Sequence, residues 1–444
     1  MKKTIAMCIG ILVCILFPKE IHAAKESDIP YEVFSSDGQS VGNLSDGNVN
    51  TYVHFGAGTK VKIKSNEKIH SIYFEWLDIP SVYEIRFNGI SVDGGKNAFL
   101  HEFIEITEGA FEVEFIFKSG VMLSNVYVLG DGEIPKEIQR WKSPCDKADM
   151  LIISTHADDE VLFMGGVIAE YAGERQLDVQ ILYYFSYYQA WWEREHEKLD
   201  GLWAMGVRNY PDCGNYRESM AQNKEESDIL FEGSLDFMVE KIRRYKPDVC
   251  VSQDVRGEYG HFHHLGLVRL VQKALEVSAD ENVCVESAKK YGTHDVPKTY
   301  LHLFKENRIK LDTKKPLVNF DGKNALEVVS EAFLQHKTQN DLGFFVSDEY
   351  QYGIADFGLY RSLVGVDSGN DMMENISLNT ESETTQEVTE TTTQEVTEQA
   401  TQKVQDEKKD EAEKNINLMP VYIVVPSILI IIIFIISLIR TKRR

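Results

Sequence analysis

Met150-Leu151-Ile152-Ile153-Ser154-Thr155-His156-Ala157-Asp158-Asp159-Glu160 joins a nearly continuous apolar run to an imidazole and three carboxylates. A strand covered on both faces of a parallel sheet has this apolar character. Downstream, residues 160–171 read as a helix, and Val179-Gln180-Ile181-Leu182-Tyr183-Tyr184-Phe185 as a second buried strand. Residues 193–205 and 228–245 read as two more helices. Residues 247–252 form a further apolar run, with another helix over 265–277. Strand–helix alternation of this kind predicts an α/β unit: a doubly wound, mostly parallel Rossmann-like sheet with helices on both faces.

The polar cluster follows the first strand directly. A second cluster, Gly257-Glu258-Tyr259-Gly260-His261-Phe262-His263-His264, follows the strand at 247–252. Ligands of open α/β sheets bind outside the carboxyl ends of the strands, so both clusters are expected at one edge. One imidazole and one carboxylate three residues apart, with a distant imidazole, make three ligands and leave a position for water. A catalytic zinc ion requires that arrangement. A second carboxylate beside the ligand can serve as general base. The first cluster alone reads equally well as a helix N-cap, with Asp158 or Asp159 capping the helix. Two such clusters, each just past a buried strand, favour the metal.

His156-Ala157-Asp158-Asp159-Glu160 with Gly165-Gly166 resembles the signature of the PIG-L/LmbE family of zinc-dependent N-acetylglucosaminyl deacetylases. Gly257–His264 resembles that family's second block, and Arg194-x-x-Glu197 ending in Gly206-Val207 the block between them. His336-Lys337-Thr338-Gln339 and Phe357-Gly358-Leu359-Tyr360-Arg361-Ser362 are similar to later segments. The resemblance covers residues 148–365. It implies Zn2+ held by His156, Asp159 and His264. It also implies Asp158 as the group that deprotonates the attacking water, and His261 as the group that stabilises the oxyanion and helps the amine depart. Arg194 would contact substrate, and Tyr259 would take a minor oxyanion part, facing the same side as His261 in an extended segment. The family usually has Pro where Ala157 stands and Pro-Asp where Phe262-His263 stand. Three imidazoles therefore lie within four residues, and the resemblance, which aligns the spacing from His261, implies His264 rather than His263 as ligand. The other histidines, including His196, His294 and His302, are expected in packed or solvated roles.

Residues 28–133 carry short runs of period two, among them Lys60-Val61-Lys62-Ile63-Lys64 and residues 72–76, 111–117 and 121–129, broken by glycine turns. This predicts an antiparallel β-sandwich. Leu44-Ser45-Asp46-Gly47-Asn48-Val49-Asn50-Thr51 resembles the early loop of discoidin-type, galactose-binding-like sandwiches. That implies either glycan binding, with calcium at Asp46 and Asn48, or a spacer domain with a turn-rich loop.

Residues 1–23 combine Lys2-Lys3, an apolar stretch and a small-residue exit, the pattern of a secretory signal peptide. Residues 366–417 include the repeat Thr-Gln-Glu-Val-Thr-Glu at 385–390 and 393–398, with too few apolar residues to fold; a disordered stalk is expected. Residues 418–439 carry no charge and are long enough for one membrane-spanning helix. The basic tail at 440–444 then puts the C-terminus in the cytoplasm and the N-terminal ectodomain outside the cell membrane. The balance of 47 Lys+Arg against 70 Asp+Glu, net −23, disfavours nucleic acid as a partner. Cys145, Cys213, Cys250 and Cys284 lack CxxC spacing, which gives no support for a thiolate zinc site. The expected function is removal of acetyl from an N-acetylated sugar or glycan by a membrane-tethered enzyme. The alternative is a surface glycan-binding adhesion protein with an inactive deacetylase-like domain. His156-x-Asp158 with a distant His also fits the triad of iron oxygenases, although those commonly sit on β-barrel strands.

Overall fold

The computed structural model describes residues 27–188 and 190–377. The leader expected over 1–23, the spanning helix expected over 418–439, the expected basic tail and most of the expected stalk lie outside these residues. Among the described residues no helix is long and apolar enough to cross a membrane.

The N-terminal part is built from seven strands: β1 (Glu32–Ser35), β2 (Val53–Phe55), β3 (Lys60–Trp76), β4 (Tyr83–Phe87), β5 (Ile90–Gly94), β6 (His101–Ile116) and β7 (Val121–Leu129). They form one antiparallel sheet in the order β2-β7-β3-β6-β4-β5, with β1 also on β3. The separate runs at 60–64 and 72–76 are the two halves of β3. Val61 pairs with Phe115, so in a flat sheet Phe74 would lie about 40 Å from Phe115 along the strand. The two rings are instead 4.9 Å apart. The sheet therefore folds over on itself and makes its own sandwich. The register shifts between Lys64 and Ser71, opposite Glu108 and Gly109 at φ 63° and 67°, supply the bend.

The α/β part contains a seven-stranded sheet in the order β10-β9-β8-β11-β12-β14-β13. Its strands are β8 (Met150–Ser154), β9 (Val179–Phe185), β10 (Asp212–Tyr216), β11 (Val249–Ser252), β12 (Lys298–His302), β13 (Arg308–Lys310) and β14 (Asp356–Ser362). β10 through β12 are parallel, and β14 and β13 complete the edge antiparallel. Burial alternates by face. Ile152 and Ile181 pack with residues of α1 (Asp159–Val167), α2 (Trp192–Ala204) and α7 (Ala325–Phe333). Leu151, Ile153 and Leu182 pack with α4 (Leu235–Tyr245) and α5 (Phe262–Val277). The helix expected over 228–245 is two: α3 (Lys224–Glu232) and α4, parted at Gly233-Ser234. The Ser234 hydroxyl donates to the Leu230 carbonyl at 2.7 Å, the kind of local bond that competes with helix continuation. The short helix α6 (Val285–Tyr291) packs on α4, and α8 (Lys337–Asn340) touches α2.

The start of the stalk at 366 requires correction. Residues 366–377 pack on the α/β part, with Met372 and Met373 buried. Lys298, fully buried on β12, lies 2.6 Å from Asp367 and donates to the Met372 and Glu374 carbonyls, each at 2.8 Å. Few apolar residues mark this segment, because a buried charge anchors it. The sandwich and the α/β part are likewise one compact unit. Phe99 stacks on Tyr210 at 4.4 Å, and Tyr73, His101 and His196 form a buried hydrogen-bonded chain of 2.6 and 2.7 Å.

Candidate metal centre

β8 and β11 are neighbours whose connections leave in opposite directions, so the strand order reverses between them. The chain after β8 carries His156, Asp158 and Asp159. The chain after β11 carries the turn 257–261 and the first turn of α5. The site thus sits at the switch point of the sheet.

Nδ1 of His156 lies 2.9 Å from Oδ2 of Asp159. Nε2 of His264 lies 3.1 Å from the same oxygen and 3.3 Å from Nδ1 of His156. Three atoms bound to tetrahedral zinc at its usual ligand distances stand about 3.3 Å apart. The donor triangle therefore fits the ion. Its charge fits too. Burial lowers His264, yet Asp159 and Glu258 outweigh burial and push it up to about 10. Burial raises Asp159, yet the His264 and His156 rings hold it well below the usual carboxylate range. The surroundings of this vertex favour a positive charge.

The capping alternative is not what the side chains do. Asp158 occupies the N-cap position of α1 but makes no side-chain capping bond. Its φ of 140° is a strained conformation for a residue other than glycine. Two contacts hold it there: its N–H donates to Oε2 of Glu160 at 2.9 Å, and Oδ1 lies 3.4 Å from Nη2 of Arg194. Burial, and then the charge of Asp159, push the Asp158 carboxyl well above its ordinary range; Arg194 opposes them. Burial likewise brings Glu160 up to about 7. Adjacent in sequence, Asp159 turns into the donor triangle and Asp158 stays beside it.

Arg194 is buried. It donates to the Ala157 carbonyl at 2.7 Å and stacks on Tyr187, 4.1 Å from the ring centre. Its guanidinium is thus directed at the loop of the motif. His261 stands at the rim with its ring 4.6 Å from that of His264. Burial and the neighbouring His264 and His156 lower it to about 3, so it is uncharged. Tyr259 is 47% exposed, its ring 5.8 Å from that of His261. The extended segment expected to align these two is a turn, with φ of 67°, 53° and 89° at Gly257, Glu258 and Gly260. His263 faces the other edge of His156, its Nδ1 3.1 Å from Nε2 of that ring.

Three neighbours escaped the sequence reading. Glu258 lies within the second cluster and bridges His264 and His302, 2.7 and 3.1 Å away. His302 ends β12, at the same sheet edge as the two clusters, and that position was its signal. Glu218 comes from a short turn with no motif, and its Oε1 lies 3.8 Å from Nε2 of His156. The Gly165-Gly166 pair is explained by packing. A Cβ on Gly165 would collide with Val329 of α7, and one on Gly166 would reach 2.6 Å from the Ile354 carbonyl oxygen. In the sandwich, both carboxylate oxygens of Asp46 accept bonds within their own loop, from the Asn48 N–H at 2.9 Å and the Thr51 hydroxyl at 2.7 Å.

The chain matches no family model. It is similar to 1D-myo-inositol 2-acetamido-2-deoxy-alpha-D-glucopyranoside deacetylase 1 of Catenulispora acidiphila, with 25% identity over 46% of this chain and 69% of the relative. Among solved structures it is similar to the N,N'-diacetylchitobiose deacetylase of Pyrococcus horikoshii, with 17% identity and a TM-score of 0.33 over 45% of this chain and 74% of that one. It is also similar to a zinc-inhibited form of a teicoplanin deacetylase, with 13% identity and a TM-score of 0.29 over 44% of this chain and 85% of that one.

Proposed function

We propose that this chain is a zinc-dependent amidohydrolase that removes the N-acetyl group from an N-acetylglucosamine-type sugar or glycan. The observation that carries the reading is the donor triangle of His156, Asp159 and His264, with a second carboxylate, Asp158, held beside it and outside it. Similarity to a deacetylase of an acetamido-deoxy sugar supports the substrate class.

Bound zinc would polarise the amide carbonyl and make water a stronger acid. Asp158 accepts the proton of the attacking water, and Arg194 keeps its carboxylate aimed. The proton passes from Asp158 to the departing nitrogen, whose leaving His261 assists. His261, uncharged, donates an N–H to the carbonyl oxygen as negative charge develops there. Tyr259 at the mouth lends a second donor. Water and amide are consumed, and acetate and a free amine leave. Acetate release from a panel of N-acetylated glycans tests the reading. A zinc-loaded chain inactive on all of them would favour the glycan-binding alternative.

The enzyme works outside the cell on a membrane tether, a reading supported by the leader-like 1–23 and the apolar 418–439 followed by basic residues. Protease added to intact cells should then release an active fragment by cutting within 378–417. Protection until lysis would contradict this.

A further inference from the structure

His156 offers its two ring nitrogens to two different sets of neighbours. Nδ1 belongs to the triangle with Asp159 and His264. Nε2, on the opposite edge, lies 3.1 Å from Nδ1 of His263 and 3.8 Å from Oε1 of Glu218. His263 is fixed by its other nitrogen, whose N–H donates to the Ala221 carbonyl at 3.0 Å. Its Nδ1 therefore carries a lone pair directed at His156. His261 closes the group: one nitrogen from each of His156, His261 and His263 lies within 4.8 Å of the others. Nδ1 of His261 is buried without a hydrogen-bond partner.

We infer that this second face is a further cation site, which takes zinc in excess once the first position is filled. Three imidazoles with a carboxylate at the edge form a nitrogen-rich set of the kind zinc and its borderline neighbours prefer. The 3.1 Å between His156 and His263 is close to the about 3.3 Å edge of a zinc tetrahedron. The donors come from the β8 loop, the turn at Glu218–Met220 and the start of α5, and Glu218 and His261 leave the face open to solvent. With one ion on Nδ1, Nε2 of His156 holds a proton shared with Nδ1 of His263. The second ion replaces that proton. A second ion held there would send that one proton to solvent. Losing that proton makes the second site weaker than the first. Filling it ties His261 to a metal and withdraws it from substrate, so excess zinc inhibits. The inhibitory consequence rests on the deacetylase reading; the second site itself does not.

Calorimetric titration of the purified full chain with zinc, in two buffers of different ionisation enthalpy, tests the proposal. Wild type should show one tight equivalent and then a weaker second one that releases about one further proton. His263→Asn keeps a short side chain with an acceptor and a donor but loses the imidazole. It should retain the tight equivalent and weaken the second by at least about tenfold. One equivalent only in wild type at zinc excess would overturn the inference while leaving the deacetylase reading intact. A second equivalent unchanged in His263→Asn would also overturn it. Absence of the tight first equivalent would overturn both. The wild-type stoichiometry and proton count decide the matter even if the variant does not fold.

Discussion

Oε2 of Glu258 lies 2.7 Å from Nδ1 of His264, and neither side chain is exposed to solvent. The bond fixes the ring so that Nε2 faces Asp159, and it places a negative charge behind the donor. A carboxylate behind a metal-ligating imidazole sets its orientation and basicity. Glu258→Gln keeps the shape and removes the charge. Zinc affinity should fall by about 10–100-fold, read as faster loss of zinc to a chelator. Unchanged zinc retention would contradict the assigned part of Glu258.

The junction between sandwich and α/β part should be sensitive to acid. Burial lowers His196 to about 4, and burial also lowers its partner His101. In the unfolded chain a histidine titrates near pH 6.5, so between those values the unfolded state holds more protons than the folded one. This contribution is therefore complete above about pH 6.5 and declines as pH falls. His196 alone should remove about 2 kcal/mol by pH 5 relative to a non-titrating residue. Urea unfolding at pH 7 and pH 5 should show wild type losing that much against His196→Gln. Parallel pH profiles would refute it.

Residues 366–377 should behave as part of the fold. Cutting the chain after Gly365 removes Asp367 and leaves the Lys298 ammonium buried without its counter-ion. Breaking one side of a buried pair costs about 3–5 kcal/mol. A chain ending at 365 should unfold at a much lower denaturant concentration than one ending at 377. Equal stability of the two would contradict the packing.

The strands, and the meeting of His156, Asp159 and His264, were legible for one reason. Runs such as 150–154, 179–185 and 249–252 are apolar because both faces are covered, and the polar clusters begin where those runs stop. Less legible was whatever depends on partners distant in sequence. Nothing local in 60–64 and 72–76 says that β3 is continuous and doubled over. The bend shows only in the pairing with Glu108 and Gly109. Glu258 stood in the quoted cluster, but its value lies in facing both His264 and His302. Segment 366–377 reads as polar tail because its anchor, Lys298, is on β12.

The adjacent aspartates carry the central claim: Asp159 holds the metal and Asp158 moves the proton. Zinc content and acetate release, measured together on Asp158→Asn and Asp159→Asn, test it most directly. Asp158→Asn should keep one zinc per chain, lose about 10²–10⁴ in rate, and fail to respond to added zinc. Asp159→Asn should be purified with little zinc and recover part of its activity when zinc is supplied in excess. The reverse pattern, with Asp158→Asn losing the ion and Asp159→Asn retaining it, would contradict the account.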